Sequence, residues 1–475
     1  MGTISSAFSL ISGALDADQS ALSIVANNVA NASTPGYTQE TPNWTQNQPL
    51  DINGVSYGDG VTETGAISLR DSVLEERLDQ QQQMASASGA RLTALNSVQA
   101  LFTPDSGSTT ATAGDIGSDL TGLFKSFSSL EANPTDNAFR QQVLSSATTL
   151  SGDVANAAAN LNSQRSALDQ EASGLTSQVN SLTSSISQLN LQIQSSSPNA
   201  DAGTLEDQRD EDISQLSQLI GVNQVPSGNN GLSITTTSGQ LLVADGTDFQ
   251  LTTGSVGGVT DFFLGGTDVT TQLMNGGGQL GGYLTARDGD IPNALTSLDQ
   301  LAYSVSTSIN GLNNTGTDLD GVTGTVANPL YIFKESAAVA GSAANMSVVM
   351  TDPNQIAAAG LGDGTGDSSN ATAMANLAKT TSATINNQTP TDFYSSFVSA
   401  LGATVSGVQS ENTAQNASVT QLQTQNNALS SVNLNDEAAA MSTLQSSYQA
   451  ASQVFTMLNT IMAAAMNLGD QTTVA

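Results

Sequence analysis

Cysteine and histidine are both missing from the 475 residues. Their absence excludes thiolate and imidazole metal sites, Cys nucleophiles, Ser-His-Asp triads and haem ligation together. It excludes disulfides too, so cysteine usage says nothing of the redox compartment. A chain without thiols suits export in the unfolded state. Basic residues are scarce: ten Lys and Arg stand against 42 Asp and Glu, a formal net charge of −32. Nucleic acid and anionic lipid are repelled by such a surface. The excess serves solubility or a basic partner, and no dense acidic run marks a site. Aromatics are only 4% of the chain, with Trp44 the single Trp, which leaves little surface for stacking sugars. No run of 18 apolar residues exists, so no membrane-spanning helix is expected. No Lys or Arg precedes Arg70. The basic start of a Sec signal is therefore missing, and export is expected by another route.

What the chain does have is length enough for two or three domains, and helical patterning at both ends. Ile4, Phe8, Ile11, Leu15, Leu22, Val25 and Val29 fall at alternating steps of four and three, with Asp18 breaking the stripe. Leu444, Tyr448, Ala451, Phe455, Leu458 and Met462 repeat that spacing unbroken, behind Met441. Both read as heptad seams on helices. Asn31, Pro35 and Gly36 end the first helix, and Asn435 or Asp436 is expected to cap the second. Short amphipathic helices gain most of their stability from tertiary burial. Each terminal helix therefore needs the other, a neighbouring subunit, or a common globular core. Asp18 either sets register or points into solvent.

The interior continues with helical periodicity over 67–102, 115–131, 136–195 and 204–220, the last following Pro198 and Gly203. From 222 to 284 the period switches to short strand-like runs between glycines. Helices return at 291–312, 371–386 and 391–430. Tyr331–Phe333 and Met346–Met350 read as strands between them. The expected fold is mainly α with an inserted β domain, the first and last segments lying together.

Three motifs with chemical overtones are weak. Gly276, Gly278 and Gly281 satisfy G-x-G-x-x-G formally, but without the strand and the acidic partner of a dinucleotide site. Asp318-Leu319-Asp320-Gly321 lacks the remaining ligands of a calcium loop and reads as a turn. Many carboxylates exist, yet nothing singles out a glycosidase pair. No catalytic, cofactor-binding or metal-ligating residue is expected, and no cofactor.

The informative string is Ala26-Asn27-Asn28-Val29-Ala30-Asn31-Ala32-Ser33-Thr34-Pro35-Gly36-Tyr37-Thr38. Physically it is a helix end with Asn side chains bonding locally, a Pro-Gly turn and an extended Tyr-led segment. It resembles the N-terminal signature of the flagellar rod, hook and hook-associated axial protein family. Gly58-Asp59-Gly60-Val61 with Arg70-Asp71 resembles the strand and turn that lead this family into its body. Leu205-Glu206-Asp207-Gln208-Arg209-Asp210, Val432-Asn433-Leu434-Asn435-Asp436-Glu437 and Gly281-Gly282-Tyr283-Leu284-Thr285-Ala286-Arg287 are similar to elements of its hook-associated branch.

The resemblance implies a layered, non-enzymatic building block. Residues 1–60 pair with 435–475 as an axial coiled coil. Residues 61–221 and 285–434 form a helical body, and 222–284 an outward-facing β domain. An outer domain carried by many relatives between the strands at 331–333 and 346–350 is absent. The seam residues above are the assembly interface. Asn27, Asn28, Asn31, Pro35, Gly36, Tyr37, Gln208, Arg209 and Asp210 are the signature. Implied partners are the hook protein, a second hook-associated protein, copies of the chain in a ring, and a cytoplasmic chaperone on the C-terminal helix. Export through the flagellar type III apparatus would place the chain outside the cell, where hook meets filament. Rival readings are a hook-type or rod-type component and a secreted glycan-acting enzyme.

Overall fold

The computed structural model describes residues 2–52, 54–102, 115–197, 201–256 and 258–470. It is mainly helical, with a small β insertion in the middle of the chain. Helix α1 (Gly2–Asn31) is followed by strands β1 (Glu40–Gln46), β2 (Leu50–Ile52), β3 (Val55–Tyr57) and β4 (Val61–Ser68). β1 pairs antiparallel with β4, and β2 with β3, so the segment is a long hairpin with a second hairpin at its tip. The body follows as α2 (Ser72–Ala100), α3 (Ile116–Ala132), α4 (Asn137–Ser196) and α5 (Thr204–Leu219). Carboxylates start three of them: Asp71 accepts from the amides of Val73 and Leu74, Asp115 from Ser118, and Asp136 from Ala138. Each supplies one acceptor for amides that the helix itself leaves unpaired. Pro198 lies outside the described residues.

Helix α4 organises the body. Its 60 residues span about 90 Å at 1.5 Å per residue. Apolar residues recur on one face, so a single helix threads two cores. Val143, Leu150, Val154, Leu161 and Leu168 sit in the first, with α3 and residues 291–394. Ala172, Leu175, Val179 and Ile186 sit in the second, with α5 and the β insertion.

The insertion comprises two antiparallel sheets. β5 (Val222–Pro226), β6 (Leu232–Thr236), β7 (Leu241–Ala244) and β8 (Thr247–Asp248) form one. β9 (Leu251–Val256), β10 (Val259–Leu264) and β11 (Thr267–Asp268) form the other. Leu232, Ile234 and Thr236 turn inward along β6, the alternation of a strand with one buried face. Strands stop earlier than the glycine pattern suggests: 270–285 is helical, as α6 (Thr270–Met274) and α7 (Gly278–Thr285). Glycine serves the turn between them, with φ +98° at Gly277 and +71° at Gly278, and close packing as well. A Cβ on Gly282 would strike the Ala87 carbonyl of α2, and one on Gly278 would meet Ile220 at 2.5 Å.

A π turn, Ala286–Asp290, joins α7 to α8 (Ile291–Thr315). It carries Arg287, fully buried, which bonds Asp169 Oδ1 at 2.6 Å, the Thr260 carbonyl at 2.7 Å and both Asp288 oxygens. Asp169 in turn accepts from the Thr260 amide and hydroxyl. One guanidinium thus fastens the second sheet to α4 and to the π turn. Tyr331–Phe333 and Met346–Met350 do not form strands; a single bridge links Phe333 to Val348. The Asn310 side chain instead takes the ladder positions, bonding the Ile332 and Phe333 amides and the Phe333 carbonyl. Asp318 closes a turn by accepting from the Asp320 and Val322 amides. The chain ends with α9 (Ser369–Asn376), α10 (Pro390–Ser430) and α11 (Leu434–Asp470). α10 packs along α2 through Val405 and Val408 against Leu92 and Leu95.

Candidate assembly interface and its joint

α1 and α11 pack along one another, antiparallel. Phe8 meets Phe455 at one end, ring centroids 4.6 Å apart and inclined at 41°, while Asn28 meets Glu437 at the other. On α11, Met441, Leu444, Ala451, Phe455, Leu458 and Met462 are half-buried, and Tyr448 is 38% exposed. On α1, Phe8, Ile11, Leu15, Leu22 and Asp18 are half-buried and Val25 is buried. The side chain of Ile4 lies outside the described ones. Val29 departs from the expected seam, at 39% exposed. In the antiparallel register it stands opposite the first turn of α11, at the end of the seam, where the partner helix runs out.

A second face of α1 escaped the heptad reading. Ala17, Ala21 and Ile24 are buried, and the small Gly13 lies on the Val61 carbonyl of β4. α1 is therefore sandwiched between α11 and the β1–β4 hairpin. Alanine carries little apolar weight in a sequence pattern, although its size is what admits the strands. Among the described elements α11 shows no such second partner: Val454, Met457 and Ile461 form an exposed apolar stripe, Met457 at 62%, and Met466 is exposed on another face.

The root of this arm is a polar joint. Asn28, 1% exposed, uses its whole side chain. Its Nδ2 donates to the Glu40 carbonyl at 2.8 Å and to Glu437 Oε1 at 3.0 Å. Its Oδ1 accepts from the Tyr37 hydroxyl at 2.8 Å and the Glu40 amide at 3.0 Å. Glu437, 3% exposed, also accepts from Gln39 Nε2 at 2.7 Å. Asn433, rather than Asn435 or Asp436, begins α11, accepting from the Asn435 amide at 3.0 Å. Asp436 and Glu437 fall in the first turn, where the helix dipole favours carboxylates. Asn31 ends α1 by bonding Asn27 and accepting from the Thr34 amide and hydroxyl. Pro35 is exposed. Gly36 turns the chain at φ +74°, a conformation that favours glycine.

The joint continues into α5. The Thr38 amide bonds Asp207 Oδ2 at 3.1 Å. Arg70 grips Glu206 at 3.1 Å, Asp207 at 2.7 Å and Asp210 at 2.6 Å. The Ser68 amide and hydroxyl both bond Asp201. A Cβ at Gly203, where φ is +54°, would collide with the Glu40 carboxylate. Of the α5 signature residues, Gln208 is exposed, whereas Arg209 is buried and bonds Asn190 Oδ1 and the Asn230 carbonyl. Asp210 pairs with Arg70. The joint also depends on Glu40, Arg70, Asp201, Asp207 and Glu437, which pattern reading did not single out. Their signal was adjacency: Arg70, Asp207 and Glu437 stand inside the strings quoted above.

Burial governs the electrostatics. It pushes the Tyr37 hydroxyl upward, with Glu40, Asp207 and Glu437 adding to the effect. Burial and the neighbouring Asp207 raise Glu40. Burial raises Asp207 and Asp210 as well, against the pull of Arg70. Asp201 is the exception: burial raises it, but the Ser68 and Gly203 amides outweigh that and hold it low. Among the described residues no cluster of acidic side chains is placed to hold a metal ion, and no helix is long and apolar enough to cross a membrane. The joint can couple elements mechanically, since its side chains tie α1, the signature loop, α5 and α11 to one another.

Comparison with known proteins agrees with this anatomy. The model of the flagellar hook-associated protein FlgK helical domain matches residues 106–326, and that of the flagella basal body rod protein matches 11–38. Flagellar hook-associated protein 1 of Escherichia coli K12 is 24% identical, covering 96% of this chain and 98% of its own. That of Bacillus subtilis strain 168 is 26% identical, covering 96% of each. The solved flagellar hook junction protein FlgK from Burkholderia pseudomallei superposes with a TM-score of 0.63 at 19% identity, over 74% of this chain and 99% of that one. At that identity the likeness speaks for the fold.

Proposed function

We propose that the chain belongs to the flagellar hook-associated protein 1 family of structural, non-enzymatic flagellar components and works as a subunit where hook meets filament. It leaves the cell unfolded through the flagellar type III apparatus, with a cytoplasmic chaperone holding α11. Outside, α1 and α11 zip together within a ring of copies, between the hook protein and a second hook-associated protein. Residues 1–60 with 435–475 form the axial layer, 61–221 and 285–434 the body, and 222–284 the outer β unit.

One observation carries this reading. Among the described elements α11 packs extensively only on α1, and it leaves the Val454, Met457 and Ile461 stripe bare. A contiguous apolar stripe of that kind marks an interaction surface. In a ring, a neighbouring arm would bury it. Chain ends that order largely by packing on each other can also be threaded first and locked later, because their ordering depends on what they bury.

Phe455→Asp tests the proposal. It sets a carboxylate against the Phe8 ring in place of an aromatic contact. The purified variant should keep a folded body with unchanged melting, and cells carrying it should fail to attach filaments. Normal filament attachment would refute the pairing.

A further inference from the structure

The joint encloses a cavity of about 930 Å³ between the signature loop, α2, α5, β5–β6 and the end of α10. Its lining is unbalanced in charge. α2 contributes Glu75, Glu76 and Asp79. α5 contributes Glu206, Asp210 and Glu211, with Asp207 beside them. The signature loop brings Tyr37, with Glu40 behind it, and the chain ahead of α2 brings Arg70, with Asp71 next to it. β5–β6 and α10 line it with uncharged groups, among them Gln224, Asn230, Gln423 and Asn426.

Two guanidiniums face these carboxyls. Arg70 spends both terminal nitrogens on Glu206, Asp207 and Asp210, and its buried Nε has no partner among the described residues. Arg209 is committed to Asn190 and Asn230 and lies 3.8 Å from Asp210. Among the described residues, Glu75 and Asp79 form no ion pair. Asp79 is 9% exposed and accepts from Gln224 Nε2 at 3.0 Å. An ionised carboxylate in such a place is costly, whereas a protonated one is not.

We propose that this cavity is a proton-operated clasp: with Glu75 and Asp79 protonated, α2 and α5 stay closed around Arg70, and ionisation of both drives the helices apart and loosens the signature loop. The loop follows α5 because Asp207 holds the Thr38 amide. It passes the movement to α11 because Gln39 bonds Glu437 and the Ser430 carbonyl. The clasp concerns the joint itself and does not depend on what the arm assembles with.

The titration has the required sign. Burial, with Asp210 adding to it, pushes Glu75 up to about 7. Burial pushes Asp79 up to about 8, with Asp210, Glu75 and Glu211 raising it further and the Ser214 bond opposing. Both carboxyls hold protons more tightly closed than open, where free carboxyls titrate near ~4. Closure is therefore strongest in acid and weakens as pH rises to about 8.

Hydrogen exchange on the full chain at pH 6 and pH 8.5, corrected for the intrinsic rate, tests the clasp. The opening equilibrium over 38–40, 74–82 and 205–213 should rise at least ~10-fold, while 143–168 in α4 stays level. Combining Glu75→Gln with Asp79→Asn should cut that rise below ~3-fold, because neither replacement titrates. A flat response in the native chain, an equal rise in α4, or an undiminished rise in the double variant would overturn the proposal. Were the double variant unfolded, the native comparison with α4 would decide alone.

Discussion

Removing the Asn28 side chain should unhinge the terminal arm without melting the body. Asn28→Ala deletes two donated and two accepted bonds, and nothing nearby can replace them. Three neutral bonds at about 1 kcal/mol each give ~3 kcal/mol, and the fourth, to the Glu437 carboxylate, adds more. Glu437 keeps Gln39, which offsets part of the loss. The Glu40 amide and the Tyr37 hydroxyl gain access to water as the root opens, which offsets more. A local cost of about 3 kcal/mol remains, close to a hundredfold in the opening equilibrium. Site-resolved hydrogen exchange should show that loss of protection over 22–31 and 436–445, with 143–168 unchanged. Asn28→Asp should act similarly: it keeps the shape but cannot donate to Glu437, and it adds a second carboxylate there. A change under threefold at the root, or a loss spread evenly into α4, would refute the assignment of Asn28 as the tie between the chain ends.

Two further outcomes follow from the body. Arg287→Ala strands Asp169 and Asp288 in a partly buried site, and breaking such an arrangement costs about 3–5 kcal/mol; calorimetry should show a lowered melting temperature and limited proteolysis should cut first within 251–268. Gly282→Val drives a branched side chain into the Ala87 carbonyl, an overpacking of about 1–3 kcal/mol or more; urea unfolding should register it, and a stability equal to the native chain would contradict the close packing of α2 on α7.

The sequence was most legible where one periodicity ran long. Buried positions of α4 such as Val143, Leu150 and Leu161 follow from spacing alone, because a helix that repeats its apolar residues has one face to hide. It was least legible where size or adjacency mattered more than hydropathy. Ala17 and Ala21 look unremarkable in a pattern, yet they admit the β1–β4 hairpin against α1. The glycines of 276–282 read as turns among strands; Gly277 and Gly278 do turn the chain, but between helices, and Gly278 and Gly282 let backbones touch.

Composition excluded thiolate and imidazole metal sites, thiol chemistry and His-dependent triads outright, since the side chains required are not in the chain. Heptad spacing fixed that the two ends would be helices with one apolar stripe each, because local geometry alone sets which residues share a face. Tertiary structure decided what those stripes meet. It set the antiparallel register that joins Phe8 to Phe455, left Val29 uncovered, and gathered Asn28, Glu40, Arg70, Asp207 and Glu437 from distant segments into one joint. A one-dimensional pattern records which face a residue occupies, whereas a hydrogen bond spanning 409 positions exists only after the whole chain has closed on itself.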